Sequence, residues 1–311
     1  MRLLEYLAAR AAPVLAVGVF AGLVVPELAR VLRPALVPAV FLIAALAFLR
    51  LEPRAVAVHA RRPLLALLAL LWLVAAAPAL AWAAVGLASP PRALGAAILL
   101  HSMAPPVFAG VAIAVLMGLD APLAALVTVA ATFLAPLTLP PSALVVLGLE
   151  LELGLGQLTL RLALFVAGAA LLAAIARGLA GSERIARWSN RIDGVSVVLF
   201  LVFAVAIMDG VSDLVWTRPG IVLAWTGAAF ATNLGLQAAG ALSFLRAGPR
   251  PAATVAFMSG NRNLALVLAV LEGEAEPDLL VYFALGQIPI FALPLLLAPL
   301  YRRALRRDGA P

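Results

Sequence analysis

Cysteine is missing altogether from the 311 residues. That excludes disulfides, thiol nucleophiles and metal sites built on thiolates. Lysine is missing as well: all 22 basic residues are arginine. Charge of either sign is scarce, at 12% of the chain against 65% hydrophobic residues, and mean hydropathy is +1.12. No soluble domain is that apolar, so the composition describes a polytopic, all-α membrane protein. Metal-ligand spacings, phosphate-binding glycine loops and Ser/His/Asp groupings are also lacking. An intramembrane hydrolase would want paired acids or a Ser–His arrangement inside its spans. The expectation is therefore a protein that is not an enzyme, with no catalytic residue, no metal and no organic cofactor. The net charge of +7 could suggest nucleic acid, but the arginines fall between apolar runs, where they set topology.

What is present is a series of apolar runs. Ten spans can be drawn, at approximately 11–29, 34–50, 63–85, 92–117, 121–148, 158–179, 193–212, 219–244, 251–271 and 279–301. The first thirty residues resemble a signal peptide, but the apolar run continues to Val25 and further spans come after it, which fits an uncleaved first helix. The fourth and fifth spans are the longest and carry internal prolines, so they are expected to kink or break.

The loops test this count. With the N-terminus inside, Arg2, Arg10, Arg54, Arg61, Arg62, Arg177, Arg184, Arg187, Arg191, Arg246, Arg250, Arg302, Arg303, Arg306 and Arg307 fall on the cytoplasmic side. Only Arg30, Arg33, Arg92, Arg161 and Arg218 fall outside. Fifteen against five is a firm positive-inside bias. The acidic residues Glu272, Glu274, Glu276 and Asp278 land outside. The expected location is a bacterial inner membrane, with both termini cytoplasmic.

One stretch stands apart. Pro251 to Leu271 holds 21 residues, roughly 31 Å of helix at about 1.5 Å per residue, close to one bilayer core. Its middle reads Ser259-Gly260-Asn261-Arg262-Asn263. A surface loop there would leave flanking apolar pieces too short to span. The economical reading is a discontinuous transmembrane helix broken at Gly260, with its polar break enclosed by protein. In the fourth span Pro105-Pro106 lies close to the centre, about half the chain away. Five spans per half is an odd number, so residues 158–301 would repeat residues 11–148 upside down within a single unit, 1–311. Paired interrupted helices in inverted halves point to a transporter's binding site.

At a broken helix the N–H groups of the downstream half point into the gap, and its dipole end is positive. The downstream halves are expected to begin near Val107 and Asn263. Arg262 adds a full positive charge and a fork suited to carboxylate or phosphate, so an organic anion is the expected cargo. The structural alternative is that Arg262 bonds the orphan carbonyls of Ala256, Phe257 and Met258. The substrate-binding candidates are Arg262, Asn261, Asn263, Ser259, Gly260, Pro105 and Pro106.

Further polar residues lie inside spans. His101, with Ser102 beside it, is either a proton relay or a neutral imidazole bonded to a helix carbonyl. Thr128 and Thr132 share a face of the fifth span and either bond their own helix or join the site. Asn233 and Gln237 repeat the same spacing on the eighth. Amides so placed are expected not to satisfy each other, and to act as packing glue or ligands. Gln287 is of the same kind. Glu150, Glu152, Asp209 and Asp213 sit at span ends and are read as solvated.

The segments MSGNRNLAL in the ninth span and MAPPVFAG in the fourth, on this ten-span layout, resemble the bile acid:sodium symporter superfamily. The resemblance implies two inverted five-helix repeats with helices 4 and 9 broken and crossing near the midplane. It implies a panel domain of spans 1, 2, 6 and 7 and a core domain of spans 3–5 and 8–10. Set on Gly260, Asn263 matches the family's ninth-helix asparagine. Met258 stands at the family's acidic position and Arg262 at its glutamine. Gly110 and Val111 stand at its sodium-ligand positions, and Thr128 and Thr132 correspond to its fifth-helix hydroxyls.

The broken spans and the resemblance together imply secondary active transport by alternating access, carrying a small or amphipathic organic anion without classical two-sodium coupling. Arg262 would stand in for a sodium ion. The coupling ion is left open between sodium and a proton, the latter through His101. An ion/proton antiporter of related broken-helix fold and a non-transporting membrane sensor or scaffold are the alternatives. Lipid and the transported anion are the expected partners.

Overall fold

The computed structural model describes residues 2–9, 11–51, 63–147, 154–271 and 277–306. Arg10, Arg54, Arg61, Arg62, Arg307, Glu150, Glu152, Glu272, Glu274 and Glu276, to which the sequence assigns loop or span-end roles, lie outside the described residues. Among those described the regular elements are all helical. In chain order they are α1 (Arg2–Ala9), α2 (Ala11–Val24), α3 (Pro26–Leu32), α4 (Leu36–Arg50), α5 (Pro63–Leu71), α6 (Ala77–Ala88), α7 (Arg92–Met103), α8 (Ala109–Met117), α9 (Ala121–Leu147), α10 (Leu155–Ala180), α11 (Ser182–Arg187), α12 (Ser189–Ala206), α13 (Val211–Thr217), α14 (Pro219–Ser243), α15 (Pro249–Gly260), α16 (Leu264–Leu271) and α17 (Pro277–Arg306). A turn of π-helix, Trp72–Ala76, joins α5 to α6.

Among the described residues, seven helical stretches are long and apolar enough to cross a membrane: Pro26–Arg50, Pro63–Ala88, Ala121–Val146, Leu155–Ala180, Ser189–Ala206, Pro219–Ser243 and Asp278–Leu305. The chain is a multi-pass α-helical membrane protein. Three of the ten expected runs fall outside that count: the first because its helix, α2, ends after 14 residues, and the fourth and ninth because they are interrupted. The latter two form pieces of 12 and 9 residues (α7, α8) and of 12 and 8 (α15, α16).

Proline explains where the helix boundaries differ from expectation. The first two spans do not separate at residues 29–34. The helix breaks at Val25 (φ −120°, ψ 81°) and resumes at Pro26, because proline drives the residue before it out of the α region. Pro34 is accommodated in the first turn of a short 3-10 segment, and helix then continues to Arg50. In the fifth span Pro136, Pro140 and Pro141 lie inside one unbroken helix of 27 residues. Membrane helices tolerate such prolines where neighbouring groups absorb the freed carbonyls.

The chain divides into two compact units. The first comprises Met1–Leu51 and Ala163–Leu223, and the second Glu52–Leu162 and Ala224–Pro311. In the first unit α12 is the axis, packed by α1, α2, α3 and α4. Glycines allow that approach: a Cβ at Gly22 would lie 2.9 Å from the Val205 carbonyl oxygen. Lipid tails supply no hydrophobic drive between helices, so close contact through small residues takes its place. Arg177 closes the end of α4, its Nη2 donating to the carbonyls of Leu49 (2.5 Å) and Leu51 (2.7 Å). These are the orphan acceptors that a helix C-terminus leaves behind.

In the second unit the interrupted helices are held by long continuous ones. α9 packs along α5, α7, α8 and α15, and α17 packs against α7, α8, α15 and α16. Leu73, Met117, Leu123, Val127 and Phe257 belong to one buried apolar cluster there. Gly118 ends α8 in the left-handed region at φ 73°, a conformation glycine adopts without steric cost.

Candidate functional site

The two breaks meet. α7 stops at Met103, where Pro105 and Pro106 supply no N–H to continue it. α15 stops at Gly260, and Asn261 leaves the helix at φ −88°, ψ 83°. Pro106 and Arg262 then pair as an antiparallel β-bridge. The N–H of Val107 donates to the Asn261 carbonyl at 2.9 Å, and that of Asn263 donates to Pro105 at 2.7 Å. The expectation that these two amides face an anion is therefore corrected: each serves the opposite break. The downstream halves begin later, at Ala109 and Leu264. Asn263 is the cap of α16, its Oδ1 accepting the Leu266 N–H at 3.1 Å.

Arg262 lies at this junction and is only 1% exposed. Its Nε donates to the Ser259 carbonyl at 2.7 Å. Its Nη1 donates to Ala104 at 2.9 Å and to Leu73 at 3.0 Å. The carbonyls served are thus not those of Ala256, Phe257 and Met258. They are the last acceptors of α15 and α7 and one from the π-turn. Asn261 Nδ2, not the arginine, bonds Phe257 at 2.9 Å. Nη2 has no partner, and neither does the buried Oδ1 of Asn261. A guanidinium has five N–H groups; three are engaged, and the two left free sit on one nitrogen. The fork expected for a carboxylate is closed, since either of its faces needs Nε or Nη1 as well as Nη2.

The carbonyl of Leu73 is available for a local reason. In the π-turn the N–H of Ala77 donates to Trp72 rather than to Leu73. The next residue, Pro78, has no N–H to give. Leu73 is left as an orphan acceptor in a buried place, where an unmade bond costs about 1–3 kcal/mol, and Arg262 supplies the donor. Trp72 adds a second tie, to α15, from its Nε1 to Ser259 Oγ at 2.8 Å. The Ser259 hydroxyl in turn donates to Val255 at 2.7 Å.

His101 joins the two breaks from α7. Its Nε2 lies 3.3 Å from the Gly260 carbonyl and its Nδ1 lies 3.1 Å from the Tyr282 hydroxyl. A carbonyl can only accept, so the proton sits on Nε2 and Nδ1 accepts from the tyrosine. Of the two readings open in the sequence, this geometry is that of a neutral imidazole bonded to a helix carbonyl, and the carbonyl belongs to Gly260 at the end of α15.

α14 closes the other side. A Cβ on Gly260 would lie 2.5 Å from both the backbone oxygen and Oδ1 of Asn233, and 2.6 Å from Gln237 Cγ. Only glycine fits there. The two amides do satisfy one another, contrary to expectation: Gln237 Nε2 donates to Asn233 Oδ1 at 2.6 Å. At i and i+4 the side chains lie one turn apart on one face, and a longer glutamine reaches back to a shorter asparagine. Gln237 Oε1 accepts from Tyr301 at 2.5 Å, while Asn233 Nδ2 stays without a partner.

The remaining candidates stand further back. Thr128 Oγ1 donates to the Met258 sulfur at 3.7 Å, so a thioether fills the place where the family resemblance puts an acid. Ser102 bonds Leu99, Thr132 bonds Thr128 and Gln287 bonds Phe283, each on its own helix. In the first unit Asp213 is exposed and Asp209 half-buried.

Sequence reasoning missed Leu73, Pro78, Trp72, Tyr282 and Tyr301. Pro78 carried a usable signal, since a proline well inside an apolar run orphans a carbonyl that something must serve. The tyrosines carried another, because a phenol deep in a span needs a partner. Leu73 carried none, as its contribution is backbone. Compared with protein-family models the sequence matches none, and no curated protein matches it either.

Proposed function

We propose that this protein is a secondary active transporter of a small or amphipathic organic anion, working by alternating access with its site at the crossing of helices 4 and 9. One observation carries the reading: two helix breaks from opposite halves of the chain are bridged through Pro106 and Arg262, around a buried guanidinium. Arg262 makes no ion pair among the described residues. A full charge at that depth, in hydrocarbon surroundings, is costly and marks substrate or ion pathways. Crossed broken helices are a recurring form of such a pathway.

In this reading the chain has ten spans in two inverted repeats, 11–148 and 158–301, as in the bile acid:sodium symporter superfamily. That one compact unit contains most of spans 1, 2, 6 and 7 and the other most of the rest supports a panel and a core. The guanidinium sits among three carbonyl oxygens, a setting that suits a resident cation, and this supports transport without two-sodium coupling. Nη2 faces the anion. The setting is a bacterial inner membrane, with both termini in the cytoplasm.

The test is a thermal-shift screen of organic acids on wild type and Arg262→Met, with and without sodium, followed by uptake into proteoliposomes. Selective protection of wild type by one acid class, and uptake that persists when potassium replaces sodium, are expected. Uptake that collapses on that replacement would refute the resident-cation idea. If no acid protects wild type, the cargo assignment fails.

A further inference from the structure

Pro78 lies in the third apolar run, is buried, and has no side-chain atom able to hydrogen-bond. Its effect is subtractive. With Ala77 N–H committed to Trp72, only an N–H at position 78 could draw the Leu73 carbonyl back into its own helix, and proline has none. That carbonyl therefore takes a hydrogen of Arg262 Nη1, at 3.0 Å. The other Nη1 acceptor is Ala104, and Nε is held by Ser259. The π-turn thus decides which nitrogen of the arginine is left over. Nη2 is the one, buried and without a partner.

We propose that Pro78 is a specificity-determining residue of the crossover, which it limits to anions held through a single atom. An arginine clasps a carboxylate through two parallel N–H bonds from two different nitrogens. Here no second nitrogen is free. The ligand meets Nη2 with one atom, whether a halide or one oxygen of a monocarboxylate, and an anion gains nothing by offering two oxygens side by side. Restoring an N–H at position 78 returns Leu73 to its helix, releases one Nη1 hydrogen and reopens the two-nitrogen clasp. This rests on the anion reading of the site given above.

The experiment compares sodium chloride, bromide, formate and acetate at constant ionic strength as protectants of the purified full-length protein in detergent. Apparent affinities come from the rise of the unfolding midpoint with anion concentration. In wild type, halides and carboxylates are expected to protect comparably. In Pro78→Ala the carboxylate-over-halide ratio is expected to rise about tenfold, the effect of one added charge-assisted bond. Pro78→Ser restores the same N–H and is the second variant should the first fold poorly. A wild-type protein that already prefers carboxylates tenfold, or an unchanged ratio in both variants, would overturn the inference and leave the transporter reading standing. If no anion protects wild type, the anion reading itself is lost and this inference with it.

Discussion

Arg262 Nη1 and the carbonyl oxygen of Leu73 are joined by a hydrogen bond of 3.0 Å across 189 residues of chain. The link is one of three from a single guanidinium to backbone carbonyls, the others being Ser259 and Ala104. Removing the side chain orphans all three acceptors in a buried place. At about 1–3 kcal/mol for each unmade buried bond, Arg262→Met is expected to lower the unfolding midpoint sharply although it roughly keeps the volume. Arg262→Lys has one ammonium to reach acceptors on three segments, so it should fall between the two. Thermal unfolding of detergent-solubilised protein measures the order; a methionine variant as stable as wild type would refute it.

Gly260 is expected to tolerate no side chain. A Cβ there would lie 2.5 Å from two oxygens of Asn233, and overpacking of this kind costs about 1–3 kcal/mol or more. Gly227 in α14 has open space around it. Alanine there should be neutral or stabilising by about 0.5–1 kcal/mol. Yield and unfolding temperature of the two alanine variants, side by side, check the contrast.

Asn263→Ala removes the cap of α16 and should cost about 1 kcal/mol, while Asn263→Ser keeps an acceptor and should recover most of it. The backbone bond from Asn263 to Pro105 is retained in both. Unfolding midpoints of the three proteins test the ranking, and equal midpoints for alanine and serine would count against the cap.

His101 is expected to hold one neutral tautomer, protonated at Nε2, because its two ring nitrogens face a carbonyl and a hydroxyl. The chain has two histidines, so nitrogen-15 labelling with His59→Gln as reference isolates the signal. Nitrogen shifts of the Nε2–H form near neutral pH are the expected result. Tyr282→Phe should broaden or shift the Nδ1 resonance alone.

The ninth-helix break was legible because five small or polar residues in an otherwise apolar run have no other economical place. The fourth was legible because Pro105 and Pro106 delete two donors in succession. The role of Arg262 was legible only in outline. Its charge and its place at a helix break come from the sequence, but which nitrogens are occupied depends on carbonyls, and every residue has one. Proline misleads in the fifth span, where Pro136, Pro140 and Pro141 sit in unbroken helix. At Pro78 the same residue type matters more than its run suggests. The difference lies in what receives each freed carbonyl, a property of neighbouring helices rather than of the run itself.

The bridge between Pro106 and Arg262 is built from main chain, with Val107 and Asn263 as its donors. The bridge itself therefore does not depend on these side chains, although those of Arg262 and Asn263 carry bonds of their own. It also rivets four half-helices into one body: neither interrupted helix can slide or rotate along its axis without tearing two dry hydrogen bonds at once. Any opening of a path through the protein has to carry that riveted piece intact.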